Sequence, residues 1–106
     1  MIFEDNFKYS LLFEIYKDLL TAKQQKFLKD YLDNNLSISE LALLYSSTRQ
    51  AMNDLLKRTF KVLDNYESKL KLLKKFNYIK GEIAEIQSKT ENEKLKQKLN
   101  NILEVL

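Results

Sequence analysis

Cysteine and histidine are both absent from the 106 residues. With them go thiolate and imidazole metal ligands, cysteine nucleophiles and the usual general base. No disulfide framework can form, which fits a reducing compartment. Proline is missing as well, and Gly81 is the single glycine, so the chain lacks the punctuation that breaks helices. No apolar run approaches the roughly 20 residues of a membrane span. The opening MIFEDNF is acidic, unlike the basic leader of a signal peptide. There is no Gly-rich phosphate loop, and Glu82, Glu85, Glu91 and Glu93 fall on helical patterns where nearby lysines pair with them. The expectation is an all-α, cytoplasmic, soluble chain that is not an enzyme and holds no metal or cofactor.

What the sequence has is charge and helix formers. Charged residues make up 31%, with 18 basic against 15 acidic for a net +3. That is mild for a nucleic-acid binder, so placement matters more than the total. Residues 1–20 carry two lysines against Glu4, Asp5, Glu14 and Asp18, whereas the stretch from Glu67 onward carries nine lysines against six acids. Arg49 and Arg58 are the only arginines, and arginine alone offers phosphate or guanine a bidentate fork.

Both arginines lie in SISELALLYSSTRQAMNDLLKR, residues 37–58. Its apolar spacing is that of a short helix, a tight turn and a longer second helix, a helix-turn-helix whose second helix can enter a DNA major groove. Leu41, Ala42 and Tyr45 form the inner side of the first helix, and Ala42 is small enough for a close helix crossing. Ser46 and Ser47 mark the turn. Such turns favour Gly, Asn or Asp at the position of Ser46, where the backbone goes left-handed. Ser47 stands where a small hydrophobe is usual. Met52 and Leu55 return to the core, while Arg49, Gln50, Asn53 and Lys57 face outward with Arg58 and Lys61 as further phosphate partners. Thr48 caps the second helix, leaving Arg49 and Gln50 in its first turn, where free amides favour an anion. Asp54 among them would repel phosphate.

Elsewhere the chain reads as supporting helices. Phe7, Leu11, Leu12, Ile15, Tyr16 and Leu19 make one stripe from about Asp5 or Asn6 to Leu20. Thr21 with Gln24, Ser37 with Glu40, and Thr90 with Glu93 have the spacing of capping boxes. Phe27, Leu28, Tyr31 and Leu32 form the inner face of a helix ending at Asp33-Asn34-Asn35. The second helix of the motif continues to Leu63, with Asn65 ending it or being spanned. A lysine-rich helix then carries Leu70, Leu72, Leu73, Phe76, Ile79, Ile83 and Ile86, and Gly81 within it costs about 1 kcal/mol against alanine or marks a close approach. Phe76, Ile79, Ile83 and Ile86, with Leu95, Leu99, Ile102 and Leu106, read as coiled-coil seams. The aromatics belong to apolar stripes, with Tyr9 and Tyr78 left open.

The run from Leu19 to Leu73 closely resembles the YlxM-like helix-turn-helix proteins of Gram-positive bacteria and mollicutes. The landmarks are Leu20-Thr21 with Lys23-Gln24, Leu36-Ser37, Arg49-Gln50-Ala51, Asp54, Lys57-Arg58 and Tyr66-Glu67 with Lys69-Leu70. More distantly, Leu41-Ala42, Thr48-Arg49, Met52 and Leu55 resemble region four of bacterial housekeeping sigma factors. The sequence departs from the family at Ala22, often proline, at Gln25, often basic, and at Ser47, commonly valine. Asn53 and Asp54 replace residues that are basic or amide in the sigma pattern. The tail after Ile86 is longer than expected of the family.

The resemblance implies an all-helical dimer and a regulatory protein whose genes neighbour those of the signal recognition particle GTPase or its receptor. The expected architecture is a sigma region four-like or winged-helix-like helical domain over residues 1–66 and a helical hairpin or coiled-coil extension over 67–106. Expected partners are DNA or RNA, signal recognition particle components and a second copy of the chain. An adaptor for the targeting GTPase without DNA reading is the alternative.

Overall fold

The computed structural model describes residues 6–106, which form six α-helices with short 3₁₀ and π-helical turns between the early ones. α1 spans Asn6–Tyr16 and passes into a 3₁₀ turn, Lys17–Leu19. The expectation of a start near Asp5 lies partly outside the described residues. A 3₁₀ turn holds three residues per turn, so it rotates the stripe by the end of the helix. Leu20 is therefore buried while Leu19 is 52% exposed, and Phe13 rather than Phe7 joins Leu12 and Tyr16 in the core.

α2, Ala22–Leu28, starts at a complete capping box. The Gln24 amide donates to Thr21 Oγ1 (3.1 Å), and the Thr21 amide donates to Gln24 Oε1 (3.0 Å). It continues as a π-helical turn, Lys29–Asp33, closed by the Asn34 amide on the Lys29 carbonyl (2.9 Å). That wider turn swings Asp30 inward, a carboxylate that a regular helical reading leaves outside. Asn35, with φ 60°, ends the segment. α3, Ile38–Leu44, begins at the second capping box, with Ser37 and Glu40 exchanging hydrogen bonds of 3.0 and 3.1 Å. Hydrogen bonds from the Ser37 backbone and hydroxyl hold the Glu40 carboxyl below its ordinary range.

α4, Arg49–Leu70, runs straight through Asn65 and is the element on which α1, α2 and α3 pack. Leu12, Leu28, Leu41, Leu56 and Leu63 have no exposed surface, and burial of each is worth roughly 1.5–3 kcal/mol. Tyrosines fasten α1 to the far half of α4. Tyr9 stacks on Phe60 (3.8 Å between centroids, 8° apart) and its hydroxyl donates to Asp64 (2.8 Å). Tyr16 donates to Glu67 (2.7 Å), and the Tyr66 hydroxyl donates to the Leu19 carbonyl (3.1 Å). Tyr9 is thus part of the packing.

The contacts divide the chain after Leu70. In the second unit, α5 (Leu72–Lys89) follows Lys71, which has left-handed backbone (φ 55°), and packs on α6 (Glu93–Val105). Thr90 is not the cap of α6. It closes α5, its amide donating to the Ile86 carbonyl (3.0 Å), and Asn92 caps α6 by accepting from the Leu95 amide (3.1 Å). An asparagine two residues on competes well for a cap. A Cβ at Gly81 would meet nothing within 4 Å, so the glycine marks no close approach. Ile83 is buried in this unit, whereas Ile79, Ile86, Leu95 and Ile102 stay 38–47% exposed. No helix among the described residues is long and apolar enough to cross a membrane.

Candidate nucleic-acid interface

The turn between α3 and α4 is built from Tyr45, Ser46, Ser47 and Thr48. Ser46 takes left-handed backbone, φ 50°, where its position favours glycine. The Ser47 amide closes the turn on the Ala42 carbonyl (2.8 Å). Thr48 caps α4, its Oγ1 accepting from the Ala51 amide (3.0 Å). Leu41, Ala42 and Met52 are buried and Leu55 half-buried, as the motif requires; Ile38 adds a buried contact. Ser47 is exposed beside a groove shared with Lys23, Phe27, Tyr45 and Met52, so the hydrophobe usual there is missing without leaving an interior void.

On the outer side, residues four apart stack along a helix. Arg49, Asn53, Lys57 and Lys61 form one row with no acid in it, and Gln50, Asp54 and Arg58 form the next. Arg49, Gln50, Lys57, Arg58 and Lys61 are exposed, and Asn53 is half-buried. In the second row, the Gln50 amide donates to both Asp54 oxygens (3.1 and 3.3 Å). Gln50 is thereby committed to its neighbour, and Arg58 lies round the helix from Lys57.

Arg49 lines two adjoining clefts. One, of about 420 Å³, has Ile38, Gln50 and Asn53 as its other walls. The second, of about 280 Å³, brings Asn6, Tyr31, Asn35, Ser37 and Ser39 to the same arginine. Asn53 Oδ1 is buried and finds no hydrogen-bond partner among the described residues. Ser39 and Asn35 were not readable as neighbours of Arg49, because the left-handed residue at Asn35 and the capping turn at Ser37 bring them round.

Behind this face, Asp30 is 8% exposed and accepts from Tyr45 (2.7 Å), Lys26 (3.2 Å) and Asn34 (3.2 Å). The π-turn and the helix before the recognition-like helix are thus tied by one carboxylate. The apolar residues expected to pair chains lie elsewhere, in α5 and α6. Phe76 and Leu99 are half-buried, Ile83 is buried, and Ile79, Ile86, Leu95 and Ile102 are exposed.

A family model described as "Putative helix-turn-helix protein, YlxM / p13 like" matches residues 3–102. The chain is 34% identical over 106 residues to the UPF0122 protein YlxM of Bacillus subtilis, covering 100% of this chain and 96% of that protein. It is 42% identical over 90 residues to a UPF0122 protein of Clostridium botulinum, covering 81% and 83% respectively. A UPF0122 protein of Fusobacterium nucleatum is 35% identical over 103 residues, covering 97% and 100%. These matches reach well past Ile86, so the C-terminal tail lies within the length of such proteins rather than exceeding it.

Proposed function

The chain belongs to the YlxM/p13-like helix-turn-helix family, and from that footing we propose that it is a non-enzymatic, cytoplasmic regulatory protein that binds nucleic acid through the outer face of α4. The acid-free row Arg49, Asn53, Lys57 and Lys61 carries this reading. Arg49 stands in the first turn of a 22-residue helix, where the helix dipole and free amides favour a phosphate. Asn53, half-buried between Arg49 and Lys57, keeps the row free of acids. Lys57 and Lys61 meet backbone phosphates, with Gln50 and Arg58 at the flank. A link to the signal recognition particle pathway follows from the family resemblance, and the ligand is duplex DNA or the particle's RNA.

Binding of both nucleic acids over a salt series tests this. Lys57→Ala should weaken binding broadly and lower the salt slope by about one. Arg49→Ala should cost more. Absence of binding to either nucleic acid at low salt overturns it.

One observation favours a second reading, an adaptor for the targeting GTPase. Asp54 sits exposed within the basic face and holds Gln50, which suits a protein partner better than phosphate. Capture of the GTPase that survives nuclease treatment would favour the adaptor; loss of capture would favour an RNA bridge. In either case the binding domain, expected over residues 1–66, extends with α4 to Leu70, and the helices after it serve as a pairing extension. Phe76, Ile79, Ile83, Ile86, Leu95, Leu99 and Ile102 join two chains, so that two α4 faces are presented together.

A further inference from the structure

Tyr78 is 69% exposed, and among the described residues no hydrogen bond or ring contact holds it. It lies on α5, in the second unit, and shares an open groove of about 460 Å³ with Lys71, Lys74, Lys75 and Ile79. The spacing of three and four between Lys71, Lys74, Lys75 and Tyr78 sets all four on one side of α5. Residues 68–81 contain five lysines and no acid, and acids resume at Glu82. Lysine stems lay methylene surface along the groove while their ammonium groups reach water, so an exposed ring stands inside a positive, apolar-floored trough. Phe76 and Ile83, on the face expected to pair chains, lie about two-fifths of a turn round the helix from Tyr78, with Ile79 between.

We propose that this groove is a binding site for single-stranded nucleic acid. An unpaired base stacks on Tyr78, and Lys71 and Lys75 meet the phosphates on either side. A surface of lysines alone would attract any polyanion. A ring presented among them selects bases whose faces are free, which a duplex does not offer. A tyrosine can also anchor a protein partner, but the lysines flanking this one on both sides follow a run of phosphates, and a membrane surface needs a broader apolar face than one tyrosine. The site belongs to the second unit, the row on α4 to the first, and binding here does not depend on duplex binding there.

The test uses the full chain and a labelled oligothymidine of about twelve nucleotides, beside an abasic oligomer of equal length, with anisotropy read across a salt series. Tyr78→Ala should weaken oligothymidine binding about tenfold, and Tyr78→Phe should keep it. The abasic oligomer should bind the unmutated chain about tenfold more weakly and lose nothing further in Tyr78→Ala. Lys75→Gln should weaken both oligomers and flatten their salt dependence. Equal affinity for the two oligomers, or no binding of either, would overturn the proposal. So would a loss in Arg49→Ala matching that in Tyr78→Ala, which would assign the strand to α4, or binding to phosphatidylserine vesicles in place of the oligonucleotide. Duplex binding, measured separately, reports on α4 and is expected to be unchanged in Tyr78→Ala.

Discussion

Asp30 stays ionised in a packed layer because three donors converge on it. Burial by itself would push its carboxyl up, but the hydrogen bonds from Tyr45, Lys26 and Asn34, with the Lys26 charge, outweigh that and leave it below the ordinary 3.8. The partner responds in the opposite sense. Burial, then the bond to Asp30 and its charge, push the Tyr45 hydroxyl from 10.0 up to about 12. The signs give two windows. Asp30 has a lowered folded value, so its contribution is complete above 3.8 and is lost as pH falls through that lower value. Tyr45 has a raised folded value, so its contribution is complete below 10.0 and is lost as pH rises to about 12. Denaturant unfolding across pH should show both losses in the unmutated chain, with Tyr45→Phe lacking the alkaline one. Asp30→Ala should destabilise by about 1–3 kcal/mol at neutral pH, since it removes three hydrogen bonds to a charged acceptor, one of them from the half-buried Tyr45 hydroxyl. Ser46 is the counterpart at the turn: its φ of 50° is strained for a residue with a Cβ. Ser46→Gly should raise stability by about 0.5–1 kcal/mol, read from the same unfolding curves.

At the scale of elements, the parts legible in the sequence are those decided within four residues. Thr21 with Gln24 and Ser37 with Glu40 form the boxes their spacing announces. The turn at Ser46–Ser47 falls where the apolar pattern breaks. What escaped depends on how helices finish. The 3₁₀ ending of α1 exchanges Leu19 for Leu20, and within α1 the core takes Phe13 rather than Phe7. The π-turn after α2 buries Asp30. At α6, Thr90 has the right spacing, but its Oγ1 accepts from the Asn92 amide (3.2 Å) and Asn92 takes the cap. At the candidate site, the row on α4 was legible from spacing. The convergence of Asn35, Ser37 and Ser39 on Arg49 was not, because it is set by backbone turns across the chain. Gly81 offers a clean elemental test. With open space around its Cβ position, Gly81→Ala should stabilise the second unit by about 1 kcal/mol in thermal unfolding.

For the molecule as a whole, α5 and α6 leave Ile79, Ile86, Leu95 and Ile102 each 38–47% exposed, more aliphatic surface than a single chain hides. Pairing of two chains through these residues would cover it. Sedimentation at micromolar concentration should give a dimer. Ile102→Asp, at a half-exposed site, should give a folded monomer, whereas Ile83→Asp, at a buried one, should also unfold its unit. A stable monomer from the unmutated chain would contradict the pairing.

The tyrosine fastenings of α1 have a temporal consequence. Tyr9 waits for Asp64, 55 residues later, and Tyr16 for Glu67, 51 residues later. A ribosome adds roughly 5–20 residues per second, so the first helix made spends several seconds outside the exit tunnel before its seat exists. During that interval Leu12, Phe13 and Tyr16 face water, and nothing translated before α4 can cover them fully. α5 and α6, whose partners lie close in sequence, carry no such delay. Vectorial synthesis therefore leaves α1, made before its seat, as the last part of the first unit to be secured.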